Sequence, residues 1–268
     1  MSFDRSAIYY KMIRNKRHHN YPYKLGLNTV TDNNEIFREA QSYDGSNSIR
    51  FYDIKYVFEH LDRGNKVCIL TIPDDVQVTR IYNNEYGANR IYIHKIMKLN
   101  YDVTKHLIEC GANVIIENYK FPTIISAAHY GYFEVIKVLA DYKHTTINNM
   151  DRAIHRAASN GHIEIVKYLA ERGAKLTDVH YVMIDVAYRG HIEIMKYLIE
   201  CKSPSALYIH NSTILSAILC ASQCGHLEAV KYLIKHSTCD TIHYKCAISY
   251  ALESKNQELV EYLRTFIE

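Results

Sequence analysis

The stretch GHIEIVKYLAER, beginning at Gly161, is written again as GHIEIMKYLIEC from Gly190 and as GHLEAVKYLIKH from Gly225. A looser copy, GYFEVIKVLADY, begins at Gly131, and a degenerate one, KNQELVEYLRTF, begins at Lys255. The spacings are 30, 29, 35 and 30 residues, and NYDVTKHLIECGAN carries the same helix one step earlier, without its Gly. A chain that repeats itself at this period is built of supersecondary units. No unit can bury its apolar face alone, so each must lean on its neighbours.

Every copy carries a second pattern upstream of its glycine position. Seven residues back stands a large apolar side chain: Ile124, Ile154, Met183, Ile218 and Ile248. Four residues back stands a smaller one: Ala127, Ala157, Val186, Ala221 and Ala251. The spacing predicts a first helix whose small residue allows close approach and whose large residue fills the gap between layers. The glycine predicts a left-handed residue that ends this helix and redirects the chain. A second helix follows, with Val166, Leu169 and Ala170, or Val230, Leu233 and Ile234, on one stripe. Gly111 and Gly173 then close second helices before a polar hairpin.

The segment DRAIHRAASNGHIEIVKYLAERGAK, residues 151–175, resembles the ankyrin repeat. Ile154 and His155 fall where that family has the Leu-His of its Thr-Pro-Leu-His motif, and several copies agree in phase. The Thr-Pro pair is missing, and the units are shorter than the usual ~33 residues. The fold expected is mainly α: an ankyrin-repeat solenoid of helix-turn-helix units over residues 99–268, preceded by a small α+β domain over residues 1–98. Four clear units lie between 120 and 240, with degenerate first and last copies.

Residues 1–98 do not repeat. Segments 7–13, 66–73 and 76–82 read as strands from their β-branched and aromatic content. DIKYVFEHLDRG, residues 53–64, reads as a helix capped by Asp53, with a stripe of Ile54, Val57, Phe58 and Leu61, ended by Gly64. Tyr9, Tyr10, Lys11, Gly26, Leu27, Asn28, Gly64 and Pro73 follow an order that resembles the N-terminal module of ankyrin proteins encoded by mimivirus-type giant viruses. The chain departs from that module at 44–52, DGSNSIRFY, where the module carries a Cys and paired Gly.

Composition narrows the function. A net charge of +3 does not suffice to hold nucleic acid or a membrane surface. No apolar run reaches the roughly 18 residues of a membrane span. The N-terminus carries charges where a signal peptide is apolar, and seven cysteines lack framework spacing, so the expectation is an intracellular protein with free thiols. The basic run KMIRNKR with His18 and His19 reads as a solvated loop. Cys220, Cys224, Cys239 and Cys246 lack the spacing of a zinc knuckle. There is no nucleophile elbow, phosphate loop or HExxH motif, so no catalytic residue, cofactor or metal is expected.

What remains is recognition. The resemblance implies that outward residues of the first helices grip a protein. His129, Tyr130, Arg156, Asp185, Tyr188, Arg189, Gln223 and Tyr250 are the candidates, because they vary between copies while the core positions do not. Tyr and Arg are the residues that dominate interface energetics. The expected partner is a protein, in particular a host protein, met by a monomer in the host cytoplasm, with nucleus or virion also compatible. The alternative is an adaptor that presents substrates to an enzymatic or ubiquitin-ligase-recruiting activity in residues 1–98.

Overall fold

Residues 3–13, 23–30, 48–82, 85–114, 122–142, 145–200 and 209–267 are described by a computed structural model of the chain. By packing, the chain divides into one unit of Met1–Ala127 with Tyr132–His144 and another of Ala128–Gly131 with Thr145–Glu268. The sequence boundary at 98/99 marks where the repeat pattern begins and lies inside the first unit.

The first unit is built on strands β1 (Tyr9–Ile13), β2 (Gly26–Thr29), β3 (Ile49–Phe51), β4 (Lys66–Thr71), β5 (Val78–Tyr82), β6 (Glu85–Ala88) and β7 (Arg90–Lys98). They form an antiparallel four-stranded sheet in the order β1-β4-β7-β2 and a three-stranded sheet in the order β3-β6-β5. Tyr9, Phe51, Cys68, Leu70, Ile91 and Ile93 meet in the core. Phe3 stacks on Tyr9 at 4.9 Å. The expected strands at 7–13, 66–73 and 76–82 are present but shorter. A turn bonding Ala7 N–H to Asp4 O removes the start of the first, and a turn bonding Val76 N–H to Pro73 O separates the other two.

The expected helix at 53–64 is a 3-10 helix, Ile54–Arg63, bent at His60. Its buried residues include Val57, Phe58 and Leu61 of the expected stripe, and also His60. Asp53 does not cap it through its side chain; the Asp53 carbonyl accepts from Tyr56 N–H instead, at 3.0 Å. Beneath this helix Glu85 lies buried, bonded to Arg63 and, at 3.3 Å, to Arg50. The basic run from residue 14 onward, with His18 and His19, lies outside the described residues, as do residues 44–47 of the segment 44–52.

The helices are α1 (Tyr101–Glu109), α2 (Thr123–Tyr130), α3 (Phe133–Ala140), α4 (Ile147–Ser159), α5 (Ile163–Glu171), α6 (Val179–Tyr188), α7 (Ile192–Glu200), α8 (Asn211–Gln223), α9 (Leu227–Lys235), α10 (Thr241–Glu253) and α11 (Gln257–Arg264). From α4 on they alternate as first and second helices of successive copies, and first helices pack on first helices: α4 on α6, α6 on α8, α8 on α10. The small residues Ala127, Ala157, Val186, Ala221 and Ala251 are all fully covered. The carbonyls of the first four accept the N–H that follows each turn, as from His162 to Ala157 at 2.9 Å and from His226 to Ala221 at 2.9 Å; that of Ala251 accepts from the Ser254 hydroxyl at 2.7 Å. The large residues Ile124, Ile154, Met183 and Ile218 are buried; Ile248 is half-buried. Gly111 and Gly173 cap α1 and α5 with φ of 103° and 89°, as their sequence positions require.

Candidate functional site

The geometry of the Gly-His step determines which residues are left for binding. Gly131, Gly161 and Gly190 all have positive φ, between 72° and 81°. A Cβ on Gly131 would stand 2.5 Å from the His162 ring, one on Gly161 2.8 Å from His191, and one on Gly190 2.8 Å from His226. Each histidine therefore lays its imidazole on the glycine of the preceding copy, which has room for it only because it lacks a side chain. The ring is held there by a hydrogen bond to the carbonyl two residues before that glycine. His162 Nε2 donates to His129 O at 3.1 Å, and His226 Nε2 donates to Tyr188 O at 3.0 Å. His191 bonds likewise to the backbone of Ser159.

These histidines stand at the N-cap positions of α5, α7 and α9, where Ser, Thr, Asp or Asn would turn inward to the helix's own N–H groups. His162 and His226 make no such bond. Their side chains serve the neighbouring copy instead. At the last step Asn256 replaces the histidine: its Oδ1 caps Leu259 N–H at 3.1 Å and its Nδ2 donates to Gly225 O at 2.8 Å. The sequence showed the glycine as a turn and the Gly-His step as recurrent. It did not show that glycine and histidine touch, because the contact joins residues about thirty apart.

The outward residues of the first helices stand beside this seam. His129 is half-buried; its Nδ1 faces Asn160 Nδ2 at 3.0 Å, and its ring meets Tyr130 edge-on at 4.6 Å. Burial, then the charges of Arg156, His162 and Arg189, holds the His129 imidazole below its ordinary pKa. Asn160 Nδ2 also donates to Arg156 O at 2.8 Å. Arg189 Nε donates to Asp185 Oδ1 at 2.9 Å on an exposed part of α6. Tyr188 is 53% exposed and Tyr250 is 38% exposed, large areas for aromatic side chains. Arg156 and Gln223 are exposed as well.

The charges of Arg156 and Arg189 thus reach His129 from the next two first helices, Asp185 pairs with Arg189, and Tyr130 meets the His129 ring. Gln223 ends α8 at the register of Tyr188, and Tyr250 stands on α10 at the register of Arg156 and Asp185. His155 is turned the other way: its Nε2 accepts from Thr177 N–H at 3.2 Å and so fastens the hairpin that follows α5. Asp151 accepts from Lys175 N–H at 2.6 Å in the same hairpin.

Among the described residues no group of three His, Cys, Asp or Glu could hold a metal ion, and no helix is long and apolar enough to cross a membrane. Cys68 is buried in the first unit, and burial pushes its thiol up to about 12. Cys220 on α8 and Cys224 just after its end are half-buried, and burial raises Cys220 further than its neighbour's charge does.

The family pattern "Ankyrin repeats (3 copies)" matches residues 93–180 and again 182–266. The chain is similar to two ankyrin repeat proteins of Acanthamoeba polyphaga mimivirus. One is 35% identical over 79 residues, 30% of this chain and 13% of that protein. The other is 30% identical over 131 residues, 43% of this chain and 46% of that protein. It is also similar to alpha-latrocrustotoxin-Lt1a of Latrodectus tredecimguttatus, 29% identical over 141 residues, 50% of this chain and 9% of that protein. The chain spans less than half the length of each of these relatives. With two matches that together take in most of the chain, and with paired helices, glycine turns and Gly-His seams that recur in phase, the chain belongs to the ankyrin-repeat family.

Proposed function

We propose that this chain is a non-enzymatic scaffold that binds a protein of the host cell on the face formed by the outer ends of its first helices. Ankyrin repeats generally mediate protein–protein interaction. The observation that supports this reading is the contrast between two sets of positions in the same helices. The small stacking residues four positions before each glycine position, Ala127, Ala157, Val186, Ala221 and Ala251, are covered in every copy. The positions beside the seam differ from copy to copy and expose Tyr188, Arg156 and Arg189, side chains suited to carrying binding energy.

On this reading residues 1–98 form a non-repeating module that covers the first copy. Leu99 N–H donates to Asn65 O at 2.8 Å, Asn113 N–H to Lys55 O at 3.1 Å and Tyr132 Oη to Leu61 O at 3.0 Å. The proposed compartment is the host cytoplasm.

The test uses the full chain as bait in host lysate, with captured proteins identified by mass spectrometry. The double variant Tyr188→Ala, Arg189→Ala is expected to keep its unfolding midpoint and lose roughly tenfold in capture of the specific partner. Equal capture by the variant would remove the assignment of this face.

A further inference from the structure

The last first helix, α10, exposes a face that its counterparts keep covered. Three residues before the glycine position stand Ala128, Ala158, Ala187 and Ser222, each with 0% exposure, and then Leu252, 54% exposed. Ile218, 3% exposed, corresponds to the half-buried Ile248, and Ile214, 6% exposed, corresponds to the half-buried Tyr244. The positions four residues before the glycine do not change, since Ala251 is as fully covered as Ala221. Position by position, the change marks the side of a first helix that looks toward the following copy.

On α10 that side carries Tyr244, Ile248 and Leu252, an apolar row at successive helical turns. Tyr244 is braced by Phe266, whose ring stacks on it at 4.7 Å with an interplanar angle of 7°. By contrast the outer side of α11 is polar, with Gln257, Glu258, Glu261, Arg264 and Thr265 all exposed. A further copy of the same kind does not fit on α10. The site that must be Ala or Ser for close stacking is occupied by a leucine, which would hold the next helix away.

We propose that this face joins two copies of the chain through an antiparallel α10–α10 contact about a two-fold axis near Ile248. An isologous contact requires a surface that complements itself when reversed. The apolar row does so, because reversal sets Leu252 of one copy against Tyr244 of the other, with the two Ile248 side chains between. The row beside it does so through charge. Lys245, Ser249 and Glu253, all exposed, follow one another at the same four-residue step. Reversal places Lys245 against Glu253 twice, with Ser249 at the centre. In a parallel two-fold pair the two rows would fall on opposite flanks and Lys245 and Glu253 would not meet. The rim charges then select the antiparallel orientation, and the apolar row supplies the buried area.

The experiment is sedimentation velocity on the full chain over a micromolar to near-millimolar series. The expected result is a reversible monomer–dimer equilibrium. Leu252→Asp is expected to weaken dimerisation by more than about tenfold without lowering the unfolding midpoint, because Leu252 is exposed in the single copy. Lys245→Glu alone and Glu253→Lys alone are expected to weaken it severalfold, and the double variant to return close to the parent. A monomer at every concentration would overturn the proposal. So would a dimer indifferent to Leu252→Asp, an open-ended oligomer, or a double charge variant no better than its singles.

Discussion

Gly161 and Gly173 have nearly the same backbone, with φ of 81° and 89°, and very different surroundings. A Cβ at Gly173 meets nothing within 4 Å, whereas one at Gly161 enters the His191 ring. Gly173→Ala should therefore cost only the left-handed strain, about 1 kcal/mol. Gly161→Ala should cost about 1–2 kcal/mol more, because the imidazole must leave its seat and give up its bond to Ser159. Urea unfolding of the two variants beside the parent checks this, and equal losses would mean that the ring contact carries no energy. Ser222 offers the opposite sign. It is fully covered, its hydroxyl finds no hydrogen-bond partner among the described residues, and its counterparts are Ala158 and Ala187. Ser222→Ala should stabilise the fold by about 1 kcal/mol, read as a raised denaturation midpoint. An unchanged or lowered midpoint would show that the hydroxyl is satisfied after all.

At the scale of the element, the 3-10 helix Ile54–Arg63 holds the group most exposed to acid. His60 is buried and stacked on Tyr52 at 4.1 Å. Burial, then the charges of Arg63, Lys11 and Arg50, holds its imidazole at about 3 against an ordinary 6.5. Above that ordinary value the ring is neutral in both the folded and the unfolded chain and adds nothing to the pH dependence. As pH falls from 6.5 toward 3 the unfolded chain takes up a proton that the folded one refuses, so stability is lost at up to about 1.4 kcal/mol per pH unit. His60→Phe, which keeps the stack, should flatten that part of the pH profile in denaturation curves taken between pH 7 and 4; an unaltered slope would clear His60 of the effect. The same segment shows what local pattern conveys. Its apolar stripe was legible, but its 3-10 geometry and the missing Asp53 cap were not, since both depend on how the helix meets β1 and the Arg50–Glu85–Arg63 cluster. Strand β7 was missed although Ile91 and Ile93 alternate inward with Tyr92 and His94 outward, a signal that was available. Strands β2, β3 and β6 span four, three and four residues and are too short to show a period; partners elsewhere in the chain create them.

Over the whole molecule the repeat made the architecture legible, because identical packing demands restrict the same positions in every copy. Ala157, Val186 and Ala221 could be read as contact points from a single sequence for that reason. The candidate binding residues carried a weaker signal, variation at outward positions. That variation identified Tyr188 and Arg156 as available but could not show that Arg189 would be shared with Asp185, or that the charges of Arg156 and Arg189 would lower the His129 pKa. The α10 face escaped notice for a related reason. Leu252 looks like one more apolar helix residue until it is set beside the alanines and serine that precede it in phase.

The Gly-His seam has one further consequence. Every ring rests on a glycine belonging to the module before it, so the modules are interchangeable links. Splicing out residues 161–189 would bring His191 down onto Gly131 and leave Gly190 beneath His226, with no seat empty and no ring stranded. The longer step from Gly190 to Gly225 obeys the same rule, since His226 still rests on Gly190, where a Cβ would stand 2.8 Å from its ring. A gene encoding such an array can gain or shed whole links by recombination at matching points, while a cut out of phase leaves a histidine facing a side chain.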